Sequence, residues 1–123
     1  MTKKTIMVVD DESAICKVVQ DILMPEGYRV ISAFSGDDAL QKLKKEKPDC
    51  MLIDFFMPGM SGRELCEKIR ADARLKSIRV AFITAASFSA SGMEEFKRLD
   101  VLDYIKKPFE YKELIQRVKK LSG

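Results

Sequence analysis

The sequence predicts an α/β fold in which one parallel β-sheet is covered by helices on both faces. Short, continuous apolar runs alternate with longer amphipathic stretches along the chain, and this alternation repeats five times, as in tandem βα units. The length of 123 residues and the hydrophobic content of 46% suit one core. We therefore expect a single domain over residues 1–123.

Five apolar runs predict the strands, at residues 6–9, 28–31, 50–53, 80–83 and 101–105. The run at residues 6–9 is continuous and rich in β-branched residues, as expected of a strand buried on both faces of a sheet. The stretches that follow them carry apolar residues three and four positions apart, the spacing of a helix with one buried face. These stripes are Ile15, Val18, Val19, Ile22 and Leu23; Leu40 and Leu43; Leu65, Cys66 and Ile69; Met93, Phe96 and Leu99; and Leu114, Ile115, Val118 and Leu121.

Turn-forming residues mark where these elements end. Pro25 and Gly27 stop the first helix, and Ser35 opens the second. The cluster at residues 58–62 separates the third strand from its helix. The fourth helix is the weakest prediction, because residues 87–92 are poor in helix formers.

Composition excludes several classes of function. Lys+Arg 22 against Asp+Glu 19 gives a net charge of +3, too small to indicate a nucleic-acid partner. No apolar stretch approaches the roughly 20 residues of a membrane span, and the first residues lack the features of a signal peptide. We therefore expect a cytoplasmic protein that binds neither nucleic acid nor membrane. The absence of histidine excludes histidine-based catalysis, and the three cysteines are expected to be reduced core residues.

Reactive polar residues follow four of the predicted strands: Asp10 and Asp11, Asp54, Thr84 and Lys107. The carboxyl ends of parallel strands meet at one edge, so these side chains should share one crevice. Two carboxylates ~4 Å apart repel by about 4 kcal/mol at an effective dielectric of 20. Three of them favour a hard cation such as Mg²⁺ beside a carboxylate that can accept a phosphoryl group. The simpler alternatives are helix caps at Asp10 or Asp11 and a turn-forming role for Asp54.

Together these residues resemble the receiver domain of two-component response regulators. The resemblance rests on Asp10-Asp11, on residues 54–62 (Asp-Phe-Phe-Met-Pro-Gly-Met-Ser-Gly), on Thr84-Ala85 and on residues 104–109 (Tyr-Ile-Lys-Lys-Pro-Phe), and it covers nearly the whole chain. It implies a flavodoxin-like, doubly wound parallel sheet of five strands in the order 2-1-3-4-5, with five helices.

The resemblance also implies a role for each residue of the crevice. Asp54 would accept a phosphoryl group from a sensor histidine kinase or a phosphotransfer protein. Mg²⁺ would be held by Asp10, Asp11, Asp54 and the backbone carbonyl of Phe56. Lys107, directly before the proline, would contact the phosphoryl oxygens, and the Lys107–Pro108 bond would be cis.

Two further residues would carry the signal. Thr84 would donate a hydrogen bond to the phosphoryl group, and Tyr104 would rotate inward when Thr84 shifts. The modified chain would bind a downstream protein, or act on an output domain if it was cut from a longer chain. It would not be an enzyme acting on other substrates, and its own dephosphorylation would be slow, because Phe56 is bulky and apolar and Ala86 offers no polar group to position water.

Two other classes of protein compete with this interpretation. A pseudo-receiver would be an interaction module that is never phosphorylated. A phosphatase of the dehalogenase type would need a second aspartate at position 56, and a nucleotide-binding enzyme would need glycines where Asp10-Asp11-Glu12 stands. The sequence also departs from the common receiver pattern: residues 97–103 lack the usual Gly-Ala, and the gap from Thr84 to Lys107 is about one residue longer. We therefore expect the region of the fourth helix to be unusual.

Overall fold

The computed structural model describes residues 3–123 and contains one parallel sheet with the strand order β2-β1-β3-β4-β5. The strands are β1 Thr5–Val9, β2 Arg29–Ala33, β3 Cys50–Asp54, β4 Arg79–Thr84 and β5 Val101–Lys106. The helices are α1 Ser13–Leu23, α2 Gly36–Leu43, α3 Gly62–Ala71, α4 Ala90–Arg98 and α5 Tyr111–Ser122, with a short 3₁₀ turn at Met24–Glu26. The predicted fold class and strand order are confirmed.

The apolar runs are continuous because each face of the sheet has its own core. Along β1, Met7 and Val9 pack in the core on the side of α2, α3 and α4, whereas Ile6 and Val8 pack in the core beneath α1 and α5. All four residues have no exposed surface. Alternate side chains of one strand thus enter opposite layers, as expected of a doubly wound sheet.

The second strand begins later than predicted. Gly27 adopts a left-handed conformation with φ 95°, and the amide of Tyr28 donates to the carbonyl of Leu23 at 3.3 Å. Tyr28 therefore belongs to the turn that closes α1, and pairing with β1 starts at Arg29, opposite Thr5. A sequence pattern cannot separate an apolar turn residue from an apolar strand residue.

The helix α4 forms in spite of its weak helix formers. Ser89 caps it, since the Ser89 Oγ accepts a hydrogen bond from the Gly92 amide at 3.3 Å. Phe96 anchors the helix in the core with 4% of its surface exposed. Capping and burial thus outweigh low intrinsic propensity here.

The unusual segment before β5 is accommodated by a turn and a bulge. Asp100 has φ 58°, and Arg70 of α3 donates to the carbonyls of Leu99 at 2.7 Å and Asp100 at 3.1 Å. Val80 pairs with Val101 but Ala81 pairs with Asp103, so Leu102 is left outside the ladder and is 58% exposed. The bulge absorbs a residue in the segment that the sequence marks as unusual.

The structure also bears on the predictions about the cysteines and about membrane spans. Cys16, Cys50 and Cys66 are buried free thiols, as expected, and burial raises the pKa of each to about 11. Within residues 3–123, none of the helices combines the length and the apolar character needed to cross a bilayer.

Candidate functional site

Three carboxylates meet at the carboxyl edge of the sheet. Because β1 pairs directly with β3, the residues that follow these strands are neighbours in space. Asp10, Asp11 and Asp54 each offer one carboxylate oxygen, and these oxygens lie within 4.8 Å of one another. Asp10 is 1% exposed and Asp54 6% exposed, whereas Asp11 is open to solvent. The sequence predicted this convergence from the strand ends.

Asp10 makes a hydrogen bond with each of its carboxylate oxygens. Its Oδ1 accepts from the amide of Glu12 at 2.9 Å, and its Oδ2 accepts from the Nζ of Lys107 at 2.7 Å. The first bond closes a turn ahead of α1. The capping position itself belongs to Glu12, which makes no side-chain capping bond within the described chain. The alternative of Asp10 or Asp11 as a helix cap is therefore wrong, because the helix begins at Ser13, three residues after Asp10 and two after Asp11.

Lys107 supplies the positive charge of the site. Its Nζ lies 2.7 Å from Asp10 Oδ2 and 3.7 Å from Asp54 Oδ2, and the Lys107–Pro108 bond is cis as expected. Burial lowers the pKa of Lys107, but the hydrogen bond that its ammonium donates to Asp10 and the charges of Asp10 and Asp54 raise it more, so the net pKa lies above the usual value. The ammonium is thus charged at neutral pH. Lys106 instead donates to Ser87 Oγ at 2.9 Å on the exterior, as the alternation of side chains along a strand predicts.

The environment of Asp54 disfavours its charged form. Burial and the negative charge of Asp10 raise the pKa of Asp54 to about 6, against the opposing effects of Lys107 and of the Phe56 amide. That amide donates to Asp54 Oδ1 at 3.3 Å. Any cation that binds beside Asp54 would therefore relieve an existing electrostatic cost.

The residues present fit a hard divalent metal ion. All three acidic ligands offer oxygen, and three carboxylates against one ammonium leave a formal excess of two negative charges. Mg²⁺ matches such a site because it binds a few carboxylates and keeps water or phosphate oxygens as its other ligands. The backbone at Phe56 borders the site through its hydrogen bond to Asp54.

Thr84 ends β4 at the sheet edge that carries the acidic cluster, whereas Tyr104 lies on β5 opposite Phe82. Asp54 pairs with Ile83 across the sheet, so Thr84 ends β4 at the same edge. Thr84 is fully buried, and its Oγ1 accepts a hydrogen bond from the Ala86 amide at 3.1 Å. Tyr104 is half-buried and packs against aromatic rings on the side of α4. The structure thus gathers the acids and Lys107 in one place and leaves Tyr104 next to α4.

One residue near the site was not singled out from the sequence. Phe88 is half-buried in the loop between β4 and α4, and its ring contacts Phe55, the residue after Asp54, at a centroid distance of 5.0 Å. The sequence signal was present, since an apolar residue directly before a capping serine often packs on its helix. Phe56, by contrast, is 60% exposed at the rim of the site.

Comparison with known proteins gives one consistent family. The model of the response regulator receiver domain matches residues 6–119. A curated relative, "Probable transcriptional regulator ycf27" of Porphyridium aerugineum, is 35% identical over 119 residues, which are 97% of this chain and 48% of the relative. The chain therefore spans about half the length of that relative.

Solved structures of similar proteins share the whole fold. The chemotaxis protein CheY4 of Vibrio cholerae is 27% identical with a TM-score of 0.91, and the match covers 98% of this chain and 99% of that one. The response regulator TrrA of Thermotoga maritima, crystallised in complex with Mg²⁺ and BeF, is 35% identical with a TM-score of 0.83, covering 96% and 98% of the two chains.

Proposed function

The chain belongs to the response regulator receiver domain family, and from that premise we propose that it is a phosphorylation switch in which Asp54 accepts the phosphoryl group. The observation that carries the proposal is the convergence of Asp10, Asp11 and Asp54 within 4.8 Å, with the Lys107 Nζ 3.7 Å from Asp54. A buried carboxylate beside a fixed ammonium and further oxygen ligands is suited to receive a phosphoryl group and to neutralise its charge.

The reaction begins with an oxygen of the Asp54 carboxylate. That oxygen forms a bond to phosphorus while the bond from phosphorus to the donor breaks, and the donor leaves with the electron pair of that bond. Lys107 stabilises the phosphoryl oxygens by exchanging its contact with Asp54 for one with the phosphoryl group. Asp10, Asp11, Asp54 and the Phe56 carbonyl would hold Mg²⁺, which supplies positive charge for the transferring group when bound.

The modified site then changes the contacts of Thr84. Its hydroxyl turns to donate to a phosphoryl oxygen, and the Ala86 amide loses the acceptor that it has at 3.1 Å in the unmodified chain. Tyr104 moves inward as the loop adjusts. Such a change shifts a two-state equilibrium at α4 and β5 rather than creating a new fold.

The partners follow from this chemistry. The phosphoryl donor is a phosphohistidine on a sensor kinase or a phosphotransfer protein, because this chain has no histidine of its own. The output is a downstream protein, or a further domain such as the additional length of the curated relative could supply. Buried free thiols suit the reducing environment of the cytoplasm, where we expect this exchange to occur.

Incubation with acetyl phosphate and Mg²⁺, followed by intact-mass measurement, tests the proposal. The native chain should gain the mass of one phosphoryl group, and the gain should disappear with EDTA and in Asp54→Asn. Asp21→Asn is a matched control, since it removes an exposed acid of α1 and should label like the native chain. A native chain that gains no mass, while a known receiver reacts beside it, would instead support an interaction module that is never phosphorylated.

A further inference from the structure

Five aromatic side chains form one packed cluster between the sheet and α4. They are Phe55, Phe82, Phe88, Phe96 and Tyr104. Phe88 lies 5.0 Å from Phe55, 4.7 Å from Phe96 and 5.9 Å from Tyr104 between ring centroids, each pair edge to face. Among residues 3–123, no ring pair joins Phe55 directly to Tyr104. Two rings connect Phe55 with Tyr104, and Phe88 makes the closer contacts, since Phe96 lies 6.0 Å from Phe55 and 6.1 Å from Tyr104.

Phe88 is also fixed to the start of α4. It directly precedes Ser89, the residue that caps the helix. Gly92, in the first turn, allows close packing, because a Cβ at that position would lie 3.3 Å from the Phe88 Cβ. A displacement of Phe88 would therefore change the packing of the first turn of α4 as well as that of Tyr104.

The loop that carries Phe88 is held by two hydrogen bonds near the site. Thr84 Oγ1 accepts from the Ala86 amide at 3.1 Å, and Ser87 Oγ accepts from Lys106 Nζ at 2.9 Å. The first of these bonds is the one that Thr84 gives up when it turns toward a phosphoryl group. The position of Phe88 thus depends on the state of Thr84.

We propose that Phe88 is a positioning residue whose ring holds Tyr104 and the first turn of α4 in the unmodified arrangement and thereby opposes the switch. The inference rests on the proposed function of Asp54 and Thr84. When the Thr84 hydroxyl turns, the loop is released and Phe88 withdraws from Tyr104. A ligand that favours the modified arrangement must break this contact, so removing the contact strengthens its binding.

The first test measures binding of beryllium fluoride, a phosphoryl mimic, by calorimetry in saturating Mg²⁺. Phe88→Leu keeps an apolar side chain but loses the edge-to-face pairs, and it should bind about fivefold more tightly than the native chain. Ile69→Val is the matched control, because it removes one methylene from the same core and costs a similar amount of stability. Its affinity should stay within about twofold of native.

The second test asks whether Phe88 acts through Tyr104. In a Tyr104→Leu background, Phe88→Leu should change the affinity by less than about twofold, because the contact is already absent. An undiminished effect in that background would overturn the inference, as would a native-like affinity of Phe88→Leu alone.

The third test needs no ligand and separates this inference from the proposed function. The chain is labelled with 3-fluorotyrosine, and the ¹⁹F signal of Tyr104 is assigned with Tyr104→Phe. In the unmodified chain, Phe88→Leu should move that signal toward the position of the unfolded protein, and Ile69→Val should not. An unmoved signal would overturn the positioning role. Failure of the native chain to bind beryllium fluoride would instead overturn the function proposed for Asp54.

Discussion

Replacing Asp54 by asparagine should stabilise the metal-free chain. The charged form of Asp54 is disfavoured in the folded state, since burial and the charge of Asp10 raise its pKa from 3.8 to about 6. This difference in pKa between the unfolded and folded chain corresponds to about 3 kcal/mol of lost stability once the carboxylate is ionised. Asparagine has nearly the same shape and no charge, so it avoids this cost.

The pKa of about 6 already includes the attraction of Asp54 to Lys107 across 3.7 Å and the hydrogen bond from the Phe56 amide. The full shift is therefore the upper limit of the gain, because the asparagine amide is itself a buried polar group that needs hydrogen-bond partners. We therefore expect the free energy of unfolding of Asp54→Asn to be about 1–3 kcal/mol larger than that of the native chain at pH 7.5 in EDTA. Urea denaturation monitored by circular dichroism measures this difference. Asp21→Asn, on the exposed face of α1, should stay within about 0.5 kcal/mol of native.

The stability difference between Asp54→Asn and the native chain should depend on pH in a definite direction. The unfolded carboxyl releases its proton before the folded one as pH rises, so the cost is absent below about pH 3 and complete above about pH 7. The advantage of Asp54→Asn should therefore fall to about half at pH 5. Mg²⁺ should reverse the comparison, because a ligand at 100 times its dissociation constant stabilises the native site by about 2.7 kcal/mol. If Asp54→Asn is no more stable than native at pH 7.5 without metal, the electrostatic account of the pocket is wrong.

Three further substitutions test other parts of the structure. Lys107→Met should slow labelling by acetyl phosphate at least about tenfold, whereas Lys106→Met should leave the rate within about twofold, and a quenched mass time course distinguishes them. Phe56→Asn should shorten the lifetime of the phosphoryl group about tenfold, since a polar group there can position water. The loss of the phosphoryl mass with time in EDTA-free buffer measures this lifetime. Arg70→Met should cost about 2 kcal/mol in urea denaturation by freeing the carbonyls before β5, whereas the exposed Arg98→Met should cost almost nothing.

The strand ends could be predicted because each depends on a strong local pattern. The run of apolar residues before Asp10 and the run before Asp54 identify buried strands, and parallel pairing then requires their carboxyl ends to meet. The resemblance indicated Lys107, directly before Pro108, and the structure places its ammonium beside Asp10 and Asp54. These residues could be located from the sequence because the pattern of apolar side chains along a strand determines how it pairs with its neighbours.

Other features depend on contacts between distant segments, so the sequence indicated at most where they lie and not what they are. The bulge at Leu102 arises from the pairing of β4 with β5, and the turn at Asp100 is held by Arg70, 30 positions earlier in the chain. The alternative of a helix cap at Asp10 failed because its carboxylate accepts from the Glu12 amide, ahead of the helix that begins at Ser13. Such details depend on tertiary contacts, so they cannot be predicted from hydrophobic periodicity.

The bulge at Leu102 also affects how copies of the chain meet. β5 is the last strand of the sheet, so its outer backbone groups could recruit a strand from another molecule. An irregular edge gives a poor template for continuous backbone pairing, and Lys106 adds a charge at the end of the strand. The residue that interrupts the ladder therefore makes this edge of the sheet a poor partner for an extended intermolecular sheet.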